Sequence, residues 1–297
     1  MHGPSTAPIP ILLAGLSAVA DRYDGFILDL WGVLHDGVRP YAGAVDTLWQ
    51  LKRQGKRAII LSNGPRRAAA LARRTAEIGI TPDLYDELHS SGEETWRLLR
   101  ERPDPAIAAL GRRVFPIAPE RDRDLLDGLD LEIVGSPSAA DFLLVTGLAH
   151  AAETVADYEQ ALSAGAAHGR PMLCANPDLE VVRAGVREFC AGALAARYES
   201  LGGSVLYVGK PHPGVYRTCL AHFGAVARSR ILAVGDSLRT DVAGAAGVGV
   251  DSLLVLGGIH AEELAGAGGS RPDPAKLAVA CAGAGQWPTY SVPAFTW

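Results

Sequence analysis

The stretch "FILDLWGVLHDG", Phe26 to Gly37, decides how the rest of the chain is read. An apolar run delivers Asp29 at a predicted strand end, and Gly32 allows a sharp turn just after it. In open α/β sheets ligands bind just beyond the carboxyl ends of strands, so an aspartate there is placed for chemistry. Two positions further on, where a second acid could serve as proton donor, stands Trp31.

Working outward, four more low-charge runs read as strands buried on both faces: Arg57–Leu61, Val205–Val208, Ile231–Val234 and Ser252–Leu256. Alternation of such runs with helical segments predicts an α/β fold, a Rossmann-like parallel-sheet core. Four chemical turns, "DLWG", "SNGP", "GKPHPG" and "GDSLRTD", each follow one of these runs and are expected on a single sheet. The segment from about 87 to 202 has strand-like runs of its own (Val114–Ala118, Phe142–Thr146, Pro171–Ala175) and is too long for a loop. It reads as an inserted α/β cap over 87–202, with the core discontinuous over 1–86 and 203–297. Pro65 and Pro213 suit first helical turns, and Ser91 with Glu94 makes a capping box. The tail Ala265–Gln286 reads as turns and a short helix.

Composition narrows the function classes. The 297 residues are 48% hydrophobic and 21% charged, with a net charge of −5 and no Lys/Arg tract, which argues against a nucleic-acid partner. Four scattered cysteines (Cys174, Cys190, Cys219, Cys281) form no CxxC pair and suggest reduced thiols and a cytoplasmic location. "ILLAGLSAVA", Ile11–Ala20, lacks a basic leader and is too short to span a bilayer, so it is expected as a packed helix rather than a signal peptide or membrane segment.

Attack on a phosphate monoester by the carboxylate of Asp29 requires the repulsion between two anions to be neutralised. Mg²⁺ does this, typically held by one or two carboxylates plus substrate oxygens; Asp236 and Asp241 offer them. Lys210 can neutralise Asp29 and the phosphoryl oxygens, while Ser62 with the N–H groups of Asn63 and Gly64 can cradle the rest at a helix N-terminus. Taken singly, each residue also reads as a turn, a cap or a surface charge. Their order and spacing lift the set above that.

These residues resemble the haloacid dehalogenase superfamily, specifically the class IIA branch of p-nitrophenyl phosphatases and related sugar and nucleotide phosphatases. "DLWGVLHDG" with "PYAGA", "LSNGP", "YVGKPHP" and "VGDSLRTDVAGA" carry the resemblance, joined by "HSSGEET" and "CANPD" in the insert. It implies a two-step hydrolysis of a small phosphorylated metabolite through an aspartyl-phosphate on Asp29. It also implies a metal held by Asp29, the backbone carbonyl of Trp31 and Asp236, with Asp241 as direct or indirect partner, and it allows a homo-oligomer formed through the cap.

At Trp31 the phosphatase pattern has a second aspartate, which protonates the leaving oxygen. Indole cannot do this. Three readings follow: a hydrolase favouring leaving groups that need little protonation, or using His35 or Asp36; a dehalogenase, whose pattern has an aromatic residue here; and a binding module that does not turn its ligand over. His35 and Asp36 equally suit a polar hairpin turn. Asn176 and Asp178 face a substrate or form an Asx-type turn, and "HSSGEET" is a helix start or a substrate contact.

Overall fold

The computed structural model describes residues 10–183, 185–266 and 272–297. Along the chain run strands β1 Ile11–Leu12, β2 Gly25–Leu28, β3 Arg57–Ser62, β4 Glu87–Ser90, β5 Arg113–Ile117, β6 Glu132–Ile133 and β7 Phe142–Val145. They continue as β8 Met172–Cys174, β9 Glu180–Arg183, β10 Val186–Phe189, β11 Val205–Tyr207, β12 Ile231–Gly235, β13 Asp251–Val255 and β14 Tyr290–Val292. The helices are α1 Ala44–Arg53, α2 Ala68–Glu77, α3 Ser91–Glu101, α4 Pro105–Ala108 and α5 Glu159–Ala167. After these come α6 Ala191–Ser200, α7 Pro213–Phe223, α8 Ala243–Gly247, α9 Ala261–Leu264 and α10 Pro274–Ala284. No helix of the described residues is long and apolar enough to cross a membrane.

The chain divides into two compact units. One takes the chain up to Leu61, Ala76–Glu87 and Tyr216–Trp297; the other takes Ser62–Thr75 and Leu88–Val215. In the first unit the sheet order is β1-β14-β13-β12-β2-β3, parallel throughout. Leu28 sits between Val234 and Ile60 in register, so β2 and β12 end side by side. Phe26, Ile27 and Leu28 are all buried, as a central strand covered on both faces demands.

The second unit has its own parallel sheet, β11-β8-β7-β5-β6, and a separate β9–β10 hairpin. Alternate residues face opposite ways along a strand. Accordingly Leu143, Val145, Met172 and Cys174 pack with Leu162, Leu194 and Tyr198 in one cluster, while Phe142, Leu144 and Leu173 pack with Leu99, Ile107 and Leu125 in another.

Four expectations change. The strand before Lys210 was expected on the core sheet, but β11 pairs with β8 in the second unit, Val205 opposite Met172. Instead of a helix, Ile11–Ala20 forms β1 and a short 3₁₀ turn at Leu16–Ala18. The amides of Leu13 and Leu16 are spent on Ser291 and Thr296 carbonyls, and a Cβ on Gly15 would lie 2.2 Å from the Trp297 oxygen. The cap of α3 is Ser90, whose hydroxyl accepts from the Glu93 N–H. Finally, α2 begins at Ala68, so Pro65 lies with Asn63 and Gly64 in the loop between β3 and α2, whereas Pro213 does open α7. In the tail α10 is the expected helix; 267–271 lie outside the described residues.

Candidate active site

Asp29 follows the last residue of β2, its N–H bonded to the Val234 carbonyl at 2.8 Å, and Asp236 follows β12. Ser237 then starts a single π-helical turn, Leu238–Val242, whose wide i→i+5 spacing swings Asp241 back over the strand end. The three buried carboxylates offer oxygens that all lie within 4.8 Å of one another. Each also accepts a main-chain N–H: Leu30 to Asp29 at 2.8 Å, Ser237 to Asp241 at 3.1 Å, and Ile259 to Asp236 at 2.8 Å.

Close-packed backbone holds these acids in place. A Cβ on Gly32 (φ +79°) would sit 1.9 Å from Asp236 Oδ2, one on Gly235 2.0 Å from Asp241 Cγ, and one on Gly258 2.2 Å from Asp236 Cβ. The Gly258–Ile259 backing escaped sequence reading. Its only signal is "GGIH", a glycine pair two residues past β13 at another strand end. Three carboxylates forced together in the protein interior repel unless a cation lies among them. An all-oxygen donor set suits a hard divalent ion such as Mg²⁺, Ca²⁺ or Mn²⁺.

The Trp31 indole belongs to the packing of the loop after Asp29. Its six-membered ring covers Gly37, where a Cβ would fall 2.5 Å away, and it meets His35 edge-on at 5.0 Å between centroids. His35 is buried and its Nδ1 accepts the Gly37 N–H at 2.8 Å, which places the proton of the neutral ring on Nε2. An imidazolium would set an N–H against that N–H. Asp36 accepts from the Val38 and Arg39 amides at 2.8 and 2.9 Å, as in an Asx turn, and these bonds, Arg39's first, hold its carboxyl below the ordinary range. Both residues are thus occupied in building the turn.

The second unit gathers the other turns. Ser62 ends β3, and its Oγ accepts the Gly64 N–H at 3.0 Å. The Asn63 side chain is a junction, a role apart from the one expected of its backbone N–H. Its Oδ1 accepts the Lys210 N–H at 2.7 Å, while its Nδ2 donates to the Lys210 carbonyl at 3.0 Å and to Asp178 Oδ1 at 2.9 Å. One buried side chain therefore joins the Ser62 loop, the lysine loop and the "CANPD" loop. Within that last loop Asn176 Oδ1 accepts the Asp178 N–H at 3.0 Å, an Asx turn. Gly209 (φ +133°) cannot carry a side chain, since a Cβ would lie 2.7 Å from Asn63 Oδ1. Lys210 is 3% exposed, an unusual burial for an ammonium.

Asn63→Asp replaces the donor to Asp178 by a second carboxylate oxygen at about hydrogen-bond distance. Losing charge-assisted bonds costs roughly 1.5–3 kcal/mol each, so hydrolysis is expected to fall about 10²-fold in kcat/KM. Steady-state kinetics on the folded variant check it, and a native value would refute the junction role.

Comparison with known proteins identifies the family. The haloacid dehalogenase-like hydrolase family matches residues 26–132, and the related HAD-hydrolase-like family matches 207–278. Chronophin of Homo sapiens is 34% identical over 260 residues, covering 83% of this chain and 85% of chronophin. The ribonucleotide monophosphatase NagD of Escherichia coli (strain K12) is 28% identical, covering 78% of this chain and 87% of NagD. A crystal structure of a haloacid dehalogenase-like hydrolase from Brucella suis 1330 superposes with a TM-score of 0.81 at 35% identity, covering 96% of this chain and all of that one. With its parallel core sheet, its acid triad and these relatives, the chain belongs to the class IIA phosphatase branch of the haloacid dehalogenase superfamily.

Proposed function

We propose that the protein is a Mg²⁺-dependent phosphohydrolase of a small phosphorylated metabolite, working through an aspartyl-phosphate and favouring good leaving groups. The observation that carries this is the convergence of Asp29, Asp236 and Asp241, three buried carboxylates within 4.8 Å. Asp29, Asp236 and Asp241, with the Trp31 carbonyl, are the residues that hold the cation. When bound, it supplies neutralisation of charge between the nucleophile and the phosphoryl oxygens.

In the first step an oxygen of Asp29 forms a bond to phosphorus as the bond to the leaving oxygen breaks. Ser62 donates to a phosphoryl oxygen, and Lys210 balances the charge through its ammonium. Asn63 keeps Lys210 in register. Water then attacks phosphorus, releasing phosphate and regenerating Asp29. The leaving oxygen departs with its electron pair, because Trp31 offers no acid and His35 and Asp36 are engaged in the turn. The insert 87–202 acts as the cap and supplies substrate selection through Asn176 and Asp178.

Hydrolysis of 4-nitrophenyl phosphate tests this reading. Turnover is expected with Mg²⁺, lost on chelation and restored by adding Mg²⁺ back. Absence of turnover under all three conditions, or turnover indifferent to chelator, would sink it.

A further inference from the structure

The segment "HSSGEE" has no part in the chemistry above, yet it is bonded at residue after residue to the loop that follows Ser62. Ser90 Oγ donates to the Arg66 carbonyl at 2.6 Å. Ser91 Oγ lies 2.6 Å from the Asn63 carbonyl and 3.1 Å from that of Gly64. The Gly92 N–H donates to the Gly64 carbonyl at 3.2 Å. Glu93 takes the Arg67 guanidinium in a two-pronged pair at 2.8 and 2.9 Å, and accepts the Ala68 N–H at 3.0 Å. Four successive residues, Ser90 to Glu93, thus bind Asn63, Gly64, Arg66, Arg67 and Ala68. The contact leaves no slack, since a Cβ on Gly92 would lie 2.1 Å from the Pro65 oxygen. Ser90 and Ser91 are both fully buried.

A loop that receives an anion has a specific difficulty. Its N–H groups attract the ligand, but its carbonyl oxygens repel it, and both belong to the same chain. Rotation of a peptide plane would turn its carbonyl oxygen toward the ligand, so a carbonyl pinned on the far side cannot do so; the Gly64 N–H is itself taken by Ser62 Oγ. Here the carbonyls of Asn63, Gly64 and Arg66 are each engaged from the α3 side, and residue 65 is a proline with no N–H to misdirect. A hydroxyl suits this work because it donates to a carbonyl without bringing a charge near the ligand.

We infer that Ser91 and Gly92 are positioning residues that hold the carbonyls of the Ser62 loop off the phosphoryl group, an assignment that rests on the phosphatase reading above. They touch the loop, not the substrate. Removing them should weaken binding of the phosphoryl group and leave the acid triad's cation affinity alone, because neither residue contacts those carboxylates.

The test uses the full-length holoenzyme with vanadate, a phosphoryl mimic, as inhibitor of 4-nitrophenyl phosphate hydrolysis. Metal binding is measured separately by titrating Mn²⁺ and following its electron paramagnetic resonance signal. Ser91→Ala and Gly92→Ala are each expected to raise the vanadate inhibition constant about tenfold or more, with Mn²⁺ affinity within about twofold of native. Loss of stability alone would lower the folded fraction without changing the inhibition constant of the folded enzyme. An unchanged inhibition constant in folded Ser91→Ala overturns the inference, even if Gly92→Ala fails to fold. A native enzyme that neither hydrolyses the ester nor binds vanadate removes the phosphatase reading itself, and the inference with it.

Discussion

Asp29→Asn is expected to reduce kcat on 4-nitrophenyl phosphate by on the order of 10⁴–10⁶-fold, the scale of removing a nucleophile that forms a covalent intermediate. The substitution is unusually clean. Asparagine keeps an oxygen for the Leu30 N–H, which Asp29 Oδ1 accepts at 2.8 Å, and the side-chain volume is nearly unchanged. It also removes one of three charges that lie within 4.8 Å of one another. Without metal, the variant should therefore melt at the same temperature as the native protein or higher. That separates chemistry from folding. Differential scanning calorimetry and steady-state rates together decide the matter, and activity above about a hundredth of native would show that the nucleophile lies elsewhere.

The second large effect concerns the leaving group. General acid assistance is typically worth about 10²–10⁴-fold, and an alkoxide needs it where a nitrophenolate does not. Alkyl phosphates should accordingly turn over about 10²–10⁴ times more slowly than 4-nitrophenyl phosphate, beyond any difference in KM. Trp31→Asp supplies an acid at the vacant role and should narrow that ratio by about tenfold or more. The absolute aryl rate is a poor readout, because the indole also covers Gly37 and meets His35, and losing it loosens the turn. Equal rates on both ester classes in the native protein would mean that some other group donates the proton, against the geometry of His35 and Asp36.

Much of the site was legible because each motif is local. An apolar run, an aspartate and a glycine within a few residues specify a strand, its end and a turn, and the acids of "GDSLRTD" are five positions apart. Short-range pattern cannot say what a residue is bonded to across the chain. Asn63 reads as a phosphate donor through its backbone N–H, beside Ser62 and Gly64. The partners of its side chain, Asp178 and Lys210, are 115 and 147 residues away. The serines of "HSSGEET" read as a helix start, and one of them does cap α3. Their hydroxyls nonetheless reach a loop more than twenty residues upstream.

By itself, then, the sequence determined the α/β class, the strands and the polar turns that follow them, and the identity of the acids that meet, since strand burial and turn propensity are set by nearest neighbours. Only the tertiary structure decided that β11 joins the second sheet, that a π turn returns Asp241 to Asp29, and that Gly32 and Gly258 close on Asp236. Those outcomes depend on which surfaces meet in three dimensions, where a pairing register or the room for one Cβ settles what no local pattern encodes.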